Sequence, residues 1–314
     1  IIKRETGKLF GSLFPNYDDR SFLSSMELFQ KRFEANSFDL ELFKNKICLD
    51  VGCGGGRYSI AASLLGAKKV YGIDIGEASI ENACKRASNM NVKNTTFQLI
   101  SADEIPFDQD SIDIVIFSGV LQHTADPDKV ISEISRVLRS GGFCYMLVYA
   151  TGGVRWPMVQ LLRPIADRIG FKVMDKAVEE AGLPVNKRRT YLDDLFVPVI
   201  DFYSWNRLES LLAHNGFKDI QRWTKGRFDH EENLETYLAD LQGFLTLFEA
   251  GCQSTIKEFD VYKSCFEIEK NVCREVIHFT KKIISDVKEN RISEKDAMDF
   301  IVGQGHHRLI AYKS

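Results

Sequence analysis

A doubly wound α/β sheet with helical additions is the fold class this sequence predicts, on three observations. From Ile47 to about Tyr149, short runs rich in β-branched and aromatic residues alternate with stretches of helical periodicity. The first run, KICLDV, ends in a glycine-rich turn that opens a helix. After Ala150 the alternation breaks, resumes at Trp205, and yields to an almost wholly helical pattern from about Asp229 to Ser293.

The elements follow in order. Residues 1–45 form an N-terminal helical segment, which through Phe33 reads as a loop and then an amphipathic helix lying on the core. Residues 46–150 are the ligand-binding core, with strands KICLDV, KKVYGIDI, NTTFQLI, SIDIVIFS and GFCYMLVYA. Between them Arg57 to Leu65, Glu77 to Met90 and Pro127 to Leu138 have helical spacing; Asp126 is placed as N-cap, Pro127 at the first helical position and Gly141 past the stop. Five strands joined by helical crossovers pack as a doubly wound sheet.

Residues 151–203 read as an insertion over the pocket, beginning with a helical stretch interrupted by Pro157 and Pro164. Residues 204–228 return to the core, with a helix from Trp205 to His214 closed by Asn215 and Gly216, then a strand from Phe217 to Thr224. Residues 229–303 form a helical subdomain, and 304–314 carry the last strand, HHRLIAYK.

Composition narrows the function. With 44% hydrophobic and 27% charged residues among 314, the chain buries an ordinary globular core. Its net charge of −3 supplies no field that gathers polyanions, so no nucleic-acid partner is expected. No apolar run has the length of a membrane span, and IIKRETGKLF lacks the apolar centre of a signal peptide. The seven cysteines are odd in number and contain no C-x-x-C, which fits a reduced cytoplasm and no zinc site.

The segment LDVGCGGGRYS carries the most chemistry. Gly52, Gly54 and Gly56 let a ligand approach the backbone, and the helix start behind them offers N–H groups. A dinucleotide site uses similar glycines, so this loop alone leaves the ligand open. Asp74, 18 residues beyond Gly56 (74 − 56), stands at the end of the second strand, where a carboxylate takes both hydroxyls of an adenosine ribose or else caps the helix from Gly76. Asp50 lies within the apolar first strand, where an acid is costly unless something cationic or hydrogen-bonding meets it. S-adenosylmethionine brings an amino group and a sulfonium, whereas a pyrophosphate would be repelled. In SADEIPFDQDSID, the Ala102 N–H and the Asp103 carboxylate suit an adenine edge.

On LDVGCGGG, YGIDI, SADEIPF, SGVLQHTADP and RVLRSGG, in order across about 100 residues, the chain resembles the class I S-adenosylmethionine-dependent methyltransferases, in particular bacterial members with a VLHHT-like signature after strand four. The resemblance implies a seven-stranded Rossmann-like methyltransferase sheet ending in an antiparallel strand, Arg308 to Lys313. It also implies S-adenosylmethionine as cofactor, S-adenosylhomocysteine as product, and Gly52, Cys53, Gly54, Asp74, Ile75, Ala102, Asp103 and Ser118 around the cofactor with Asp50. Gln122 departs from the signature, standing where relatives carry the first of two histidines.

On the acceptor side, methyl transfer is an in-line displacement that needs alignment, exclusion of water and, for a protonated acceptor, a base. His123 is the candidate base; its alternative role is to shape the loop through a backbone hydrogen bond. Tyr149, Arg155, Trp156 and Tyr203 are candidate acceptor contacts, with packing as the alternative for each. Asp193, Asp194 and Pro198 lie in a stretch that bends over the pocket in relatives, and Arg227 to His230 form a polar loop that could reach the acceptor. His306 and His307, adjacent on a strand, point to opposite faces and cannot share one metal ion. No catalytic metal is expected.

The reading is a methyltransferase acting on a small or medium acceptor at O, N or C, because the added segments supply enough chain to roof the pocket. The alternatives are an RNA or protein methyltransferase and a non-catalytic cofactor-binding module, with a nicotinamide oxidoreductase behind them. The aromatics of the helical subdomain supply its core or a homodimer contact.

Overall fold

The structure is a computed structural model that describes residues 2–13, 19–223, 225 and 233–314. In chain order it runs α1 (Ile2–Leu13), α2 (Asp19–Ala35), β1 (Ile47–Val51), α3 (Arg57–Leu64), β2 (Lys69–Asp74), α4 (Glu77–Asn89), β3 (Thr95–Leu99), β4 (Ile112–Ser118), α5 (Pro127–Val137) and β5 (Leu138–Tyr149). Then follow α6 (Arg155–Ile169), α7 (Phe171–Glu180), α8 (Val185–Phe196), α9 (Trp205–His214), β6 (Phe217–Arg222), α10 (Leu234–Gln253), α11 (Lys263–Lys288), α12 (Glu294–Ile301) and β7 (His306–Lys313). The chain divides into two compact units: Ile1–Ala150 with Pro198–Arg227 and His306–Ser314, and Thr151–Val197 with Phe228–Gly305.

The first unit holds a seven-stranded sheet in the order β3-β2-β1-β4-β5-β7-β6. The strands from β3 to β5 are parallel, while β7 is antiparallel to both β5 and β6. Side chains alternate between two cores, as the twofold period of a strand requires. Leu49, Val51, Val115, Phe117, Met146 and Val148 face one with Ile131, Ile134 and Leu208. Cys48, Ile114, Ile116, Phe143 and Tyr145 face the other, beneath Phe29 and Phe33 of α2 and Tyr58 of α3. The order reverses between β1 and β4, so the loops after β1, β2, β3 and β4 surround the crevice in which open α/β sheets bind ligands.

Local signals hold at several ends. Asp126 accepts a hydrogen bond from the Lys129 N–H at 3.0 Å and Pro127 opens α5; Asn215 and Gly216 close α9, Gly216 at φ 83°. Other elements differ from the sequence reading. Ile2–Leu13 is a helix where a loop was expected: Gly7 and Gly11 lower its propensity but flatten one face, which packs on Ile75 and Ala78. β5 begins at Leu138 instead of Gly142, because Leu138 pairs with Ile112 and Phe143 with Ile114 across a bulge that contains Gly141. β6 ends at Arg222, and Thr224 lies outside the described residues.

The second unit is helical. α6 runs unbroken through both prolines: Pro157 sits in the first turn, where no donor is needed, and Pro164 removes one internal bond from a helix anchored by Trp156, Met158, Val159, Leu162, Ala166 and Ile169. Here α10 packs on α11 and α7, and α6 on α8 and α11, so the insertion and the subdomain form one compact body. Its core holds an ionic network. Arg155 on α6 bonds Asp194 on α8 at 2.5 Å and Asp240 on α10 at 3.1 Å, and Lys187 also bonds Asp240.

Candidate cofactor and acceptor site

The loop after β1 is built from the backbone outward. The N–H groups of Gly52 and Cys53 both donate to the Ile73 carbonyl, at 2.8 and 3.0 Å, which turns the chain off β1 across β2. Gly52 holds φ 71°, and a Cβ there would lie 2.3 Å from Val120 Cγ2. At Gly54, with φ 51°, a Cβ would meet nothing within 4 Å. Here the backbone lies open on the crevice side, and a side chain would occupy space beside the loop.

Three carboxylates frame this loop. Asp50 is buried on β1 and takes the Ser59 hydroxyl of α3 at 2.6 Å. Burial raises its pKa to about 7, against the lowering pull of Ser59 and of the Arg57 guanidinium. It is therefore an acid that a nearby cation would ionise. Asp74 accepts the Gly76 and Gly54 N–H groups, each at 2.8 Å, one on each oxygen. Cap and loop brace are thus one arrangement, and each oxygen keeps a second lone pair for a hydroxyl. Burial pushes Asp74 upward as well, opposed by these N–H groups. Asp103, after β3, takes the Ser101 hydroxyl at 2.5 Å and Lys3 Nζ of α1 at 2.7 and 2.6 Å. Burial raises it, but the Lys3 and Ser101 bonds outweigh that and hold it below the usual carboxylate range.

The other expected cofactor residues fall along the same rim. Ile75 follows Asp74 directly, Ala102 precedes Asp103, Ser118 ends β4, and Cys53 is buried in the glycine loop, its thiol pushed up by burial. This donor set fits S-adenosylmethionine. An open glycine cradle lies next to a buried acid that an ammonium would ionise, and Asp74 and Asp103 stand at the ends of the next two strands, where hydroxyls and an adenine edge would meet them.

After β4, Leu121–His123 forms a 3-10 turn. His123 is buried, and its Nδ1 lies 2.9 Å from the Val199 carbonyl oxygen. A carbonyl only accepts, so Nδ1 carries the proton and Nε2 is the basic nitrogen of the neutral ring. The ring lies 5.3 Å from that of Phe10 and 5.6 Å from that of Tyr149, edge-on at 84°. The Asp201 N–H bonds the Gln122 carbonyl at 2.9 Å, pinning the segment after Pro198 to this turn. Gln122 itself is fully buried.

Of the candidate acceptor contacts, Tyr149 is beside His123. Tyr203 is 1% exposed in the sheet core, with its carbonyl taken by His307 Nε2 at 2.8 Å and Arg207 over its ring. Arg155 and Trp156 belong to the second unit, where Arg155 stacks at 4.6 Å on Trp156 and serves the ionic network. Asp193 and Asp194 are buried in that unit too, and burial raises both. Arg227 to His230 lie outside the described residues. His306 and His307 do face opposite sides, one toward Tyr149 at 5.1 Å and the other toward Tyr203. Among the described residues no group of three or more His, Cys, Asp and Glu could hold a metal ion. Sequence reasoning missed Lys3, Phe10 and Val199, none of which lies in a motif.

Comparison with known proteins agrees with this geometry. Residues 42–167 match a family model described as a methyltransferase domain. A ubiquinone/menaquinone biosynthesis C-methyltransferase of Geobacter sp. is 25% identical over 68% of this chain and 88% of its own length. A 27-O-demethylrifamycin SV methyltransferase of Amycolatopsis mediterranei is 37% identical over 30% of this chain and 35% of its own length. A chain in a solved complex containing the Haloferax volcanii Trm112 methyltransferase activator shares the fold, with a TM-score of 0.51, 13% identity and 97% of each chain covered. Glycine loop, seven-stranded order and relatives agree: the chain is an S-adenosylmethionine-dependent methyltransferase with a Rossmann-like methyltransferase fold.

Proposed function

We propose that the enzyme methylates a small or medium-sized acceptor at O, N or C by direct in-line transfer, with His123 as the base. One observation carries the mechanism: the hydrogen bond of His123 Nδ1 to the Val199 carbonyl makes Nε2 the basic nitrogen of a ring held in the turn after β4. S-adenosylmethionine supplies an electrophilic methyl on a sulfonium. The protein's part is to hold that group by Asp50, Asp74 and Asp103 and to take the acceptor proton at His123 Nε2. Tyr149 lines the acceptor side. Arg155, Trp156 and Tyr203 are buried in packing contacts, and no acceptor role is proposed for them.

The acceptor size is supported by the relatives, whose names give a quinone pathway and a rifamycin. The net charge of −3 favours no nucleic acid. Seven free cysteines suit the cytoplasm. Among the described residues no helix is long and apolar enough to cross a membrane. A homodimer through the helical unit is supported by Phe279 and Phe300, which are exposed there.

The test is transfer of labelled methyl from S-adenosylmethionine into a panel of quinols, phenols and amines and into a cell extract split into small-molecule, protein and nucleic-acid fractions. Label in small molecules that is lost with His123→Ala supports the reading. Label in a polymer fraction replaces it with a macromolecular methyltransferase, and label that persists in the variant removes His123 as base.

A further inference from the structure

We propose that α1 is the outer wall of the cofactor site and that the Lys3–Asp103 pair is a catch controlling how fast the cofactor enters and leaves. The inference rests on the cofactor reading above and extends it to a helix that no motif marks.

The face of α1 bearing positions 3, 7, 10 and 11, spaced as neighbours on one side of a helix, meets the rim of the crevice. Lys3 Nζ lies 2.7 and 2.6 Å from the two oxygens of Asp103, beyond β3. Gly7 lies against the residue after the ribose acid: a Cβ on Gly7 would stand 2.6 Å from the Ile75 carbonyl oxygen. On Gly11 a Cβ would stand 3.5 Å from Ala78 Cβ. Phe10 reaches the ring of His123 at 5.3 Å. The helix therefore spans the loops after β2, β3 and β4, the same three loops that adenosine and the acceptor must reach.

A second observation points to a ligand on this face. Thr6 is 4% exposed, and its buried hydroxyl has no hydrogen-bond partner among the described residues. A buried hydroxyl is ordinarily satisfied. Beside it lies Gly7, on the carbonyl of Ile75. Adenosine, with its hydroxyls and ring nitrogens, offers Thr6 such a partner.

The catch is built to open. The Lys3 side chain is 54% exposed and that of Asp103 13%. A pair of that kind holds by a factor of up to about five and weakens with salt. Gly7 supplies the rest, because only a residue without a side chain lets the two backbones close. Lys3 thus ties α1 to the acid on the adenine side, and that tie has to open for the cofactor to exchange.

The experiment measures dissociation of S-adenosylhomocysteine from the full chain by chase with labelled S-adenosylmethionine, at low and high salt, for the wild type and for Lys3→Ala, Lys3→Arg and Gly7→Ala. In the wild type the rate is expected to rise roughly two- to fivefold with salt. Lys3→Ala should be fast at both salts, Lys3→Arg should behave as wild type, and Gly7→Ala should dissociate about tenfold faster or more. Hydrogen exchange across residues 2–13 should slow on adding S-adenosylhomocysteine. Binding with unchanged rates in Lys3→Ala, and no added protection of residues 2–13, would overturn the catch while leaving the cofactor reading intact. No binding to the folded wild type would overturn the cofactor reading itself. Because Lys3 is half exposed, Lys3→Ala keeps the test valid even if Gly7→Ala fails to fold.

Discussion

His123 Nδ1 is 2.9 Å from the carbonyl oxygen of Val199, a residue 76 positions further along the chain. That bond decides which ring nitrogen is basic, so a side chain that keeps the donor but lacks the base separates folding from chemistry. His123→Asn can still donate to Val199. It should bind S-adenosylhomocysteine within about threefold of wild type by calorimetry yet lose roughly 10²–10⁴ in kcat on any acceptor that must shed a proton. Undiminished turnover would exclude His123 as the base.

The two glycines of the cofactor loop should fail in different ways. Gly52→Ala places a Cβ 2.3 Å from Val120 Cγ2. It should lower stability by about 2 kcal/mol or more in urea unfolding, and Val120→Ala should recover part of that. Gly54→Ala meets no atom within 4 Å. Its cost without cofactor should be limited to left-handed backbone strain of about 1 kcal/mol, while S-adenosylhomocysteine affinity drops at least about tenfold.

Asp50 should make cofactor affinity depend on pH. Its pKa is raised to about 7, so below that value a proton competes with the cofactor's ammonium. Affinity should rise as pH goes from 6 to 8, by roughly tenfold at most per unit on the acid side, and then level off. Asp50→Asn should bind more weakly with a flat profile. Equal slopes in both proteins would assign the pH dependence to another group.

Glu269 should make the helical unit less stable in alkali. It is fully buried on α11, neither carboxylate oxygen has a hydrogen-bond partner among the described residues, and burial pushes its pKa to about 9. Its folded pKa lies above the unfolded value of about 4.5, so the folded state holds the proton more tightly. Stability therefore falls as pH rises from about 4.5 towards 9. Glu269→Met should melt several degrees higher than wild type at pH 8.5, with the gap closing towards pH 5. A gap independent of pH would mean that Glu269 is already ionised in the folded protein.

Sequence alone determined what local physics determines. The short β-branched and aromatic runs of β1, β4 and β5 and the helical spacing between strands specify the sheet and its crossovers. The glycines after β1 and the acid at the end of β2 work through backbone within a few residues, so their spacing reveals them. Tertiary structure decided the rest, because those partners meet only once the sheet has formed. Lys3 and Asp103 are 100 positions apart, and Arg155 finds Asp240 across 85. α1 is the plainest case: its two glycines argue against a helix locally, yet they are what lets a helix lie against Ile75 and Ala78. Packing on a preformed surface outweighs the roughly 1 kcal/mol that each glycine costs a helix, and no periodicity in the segment announces the surface it will meet.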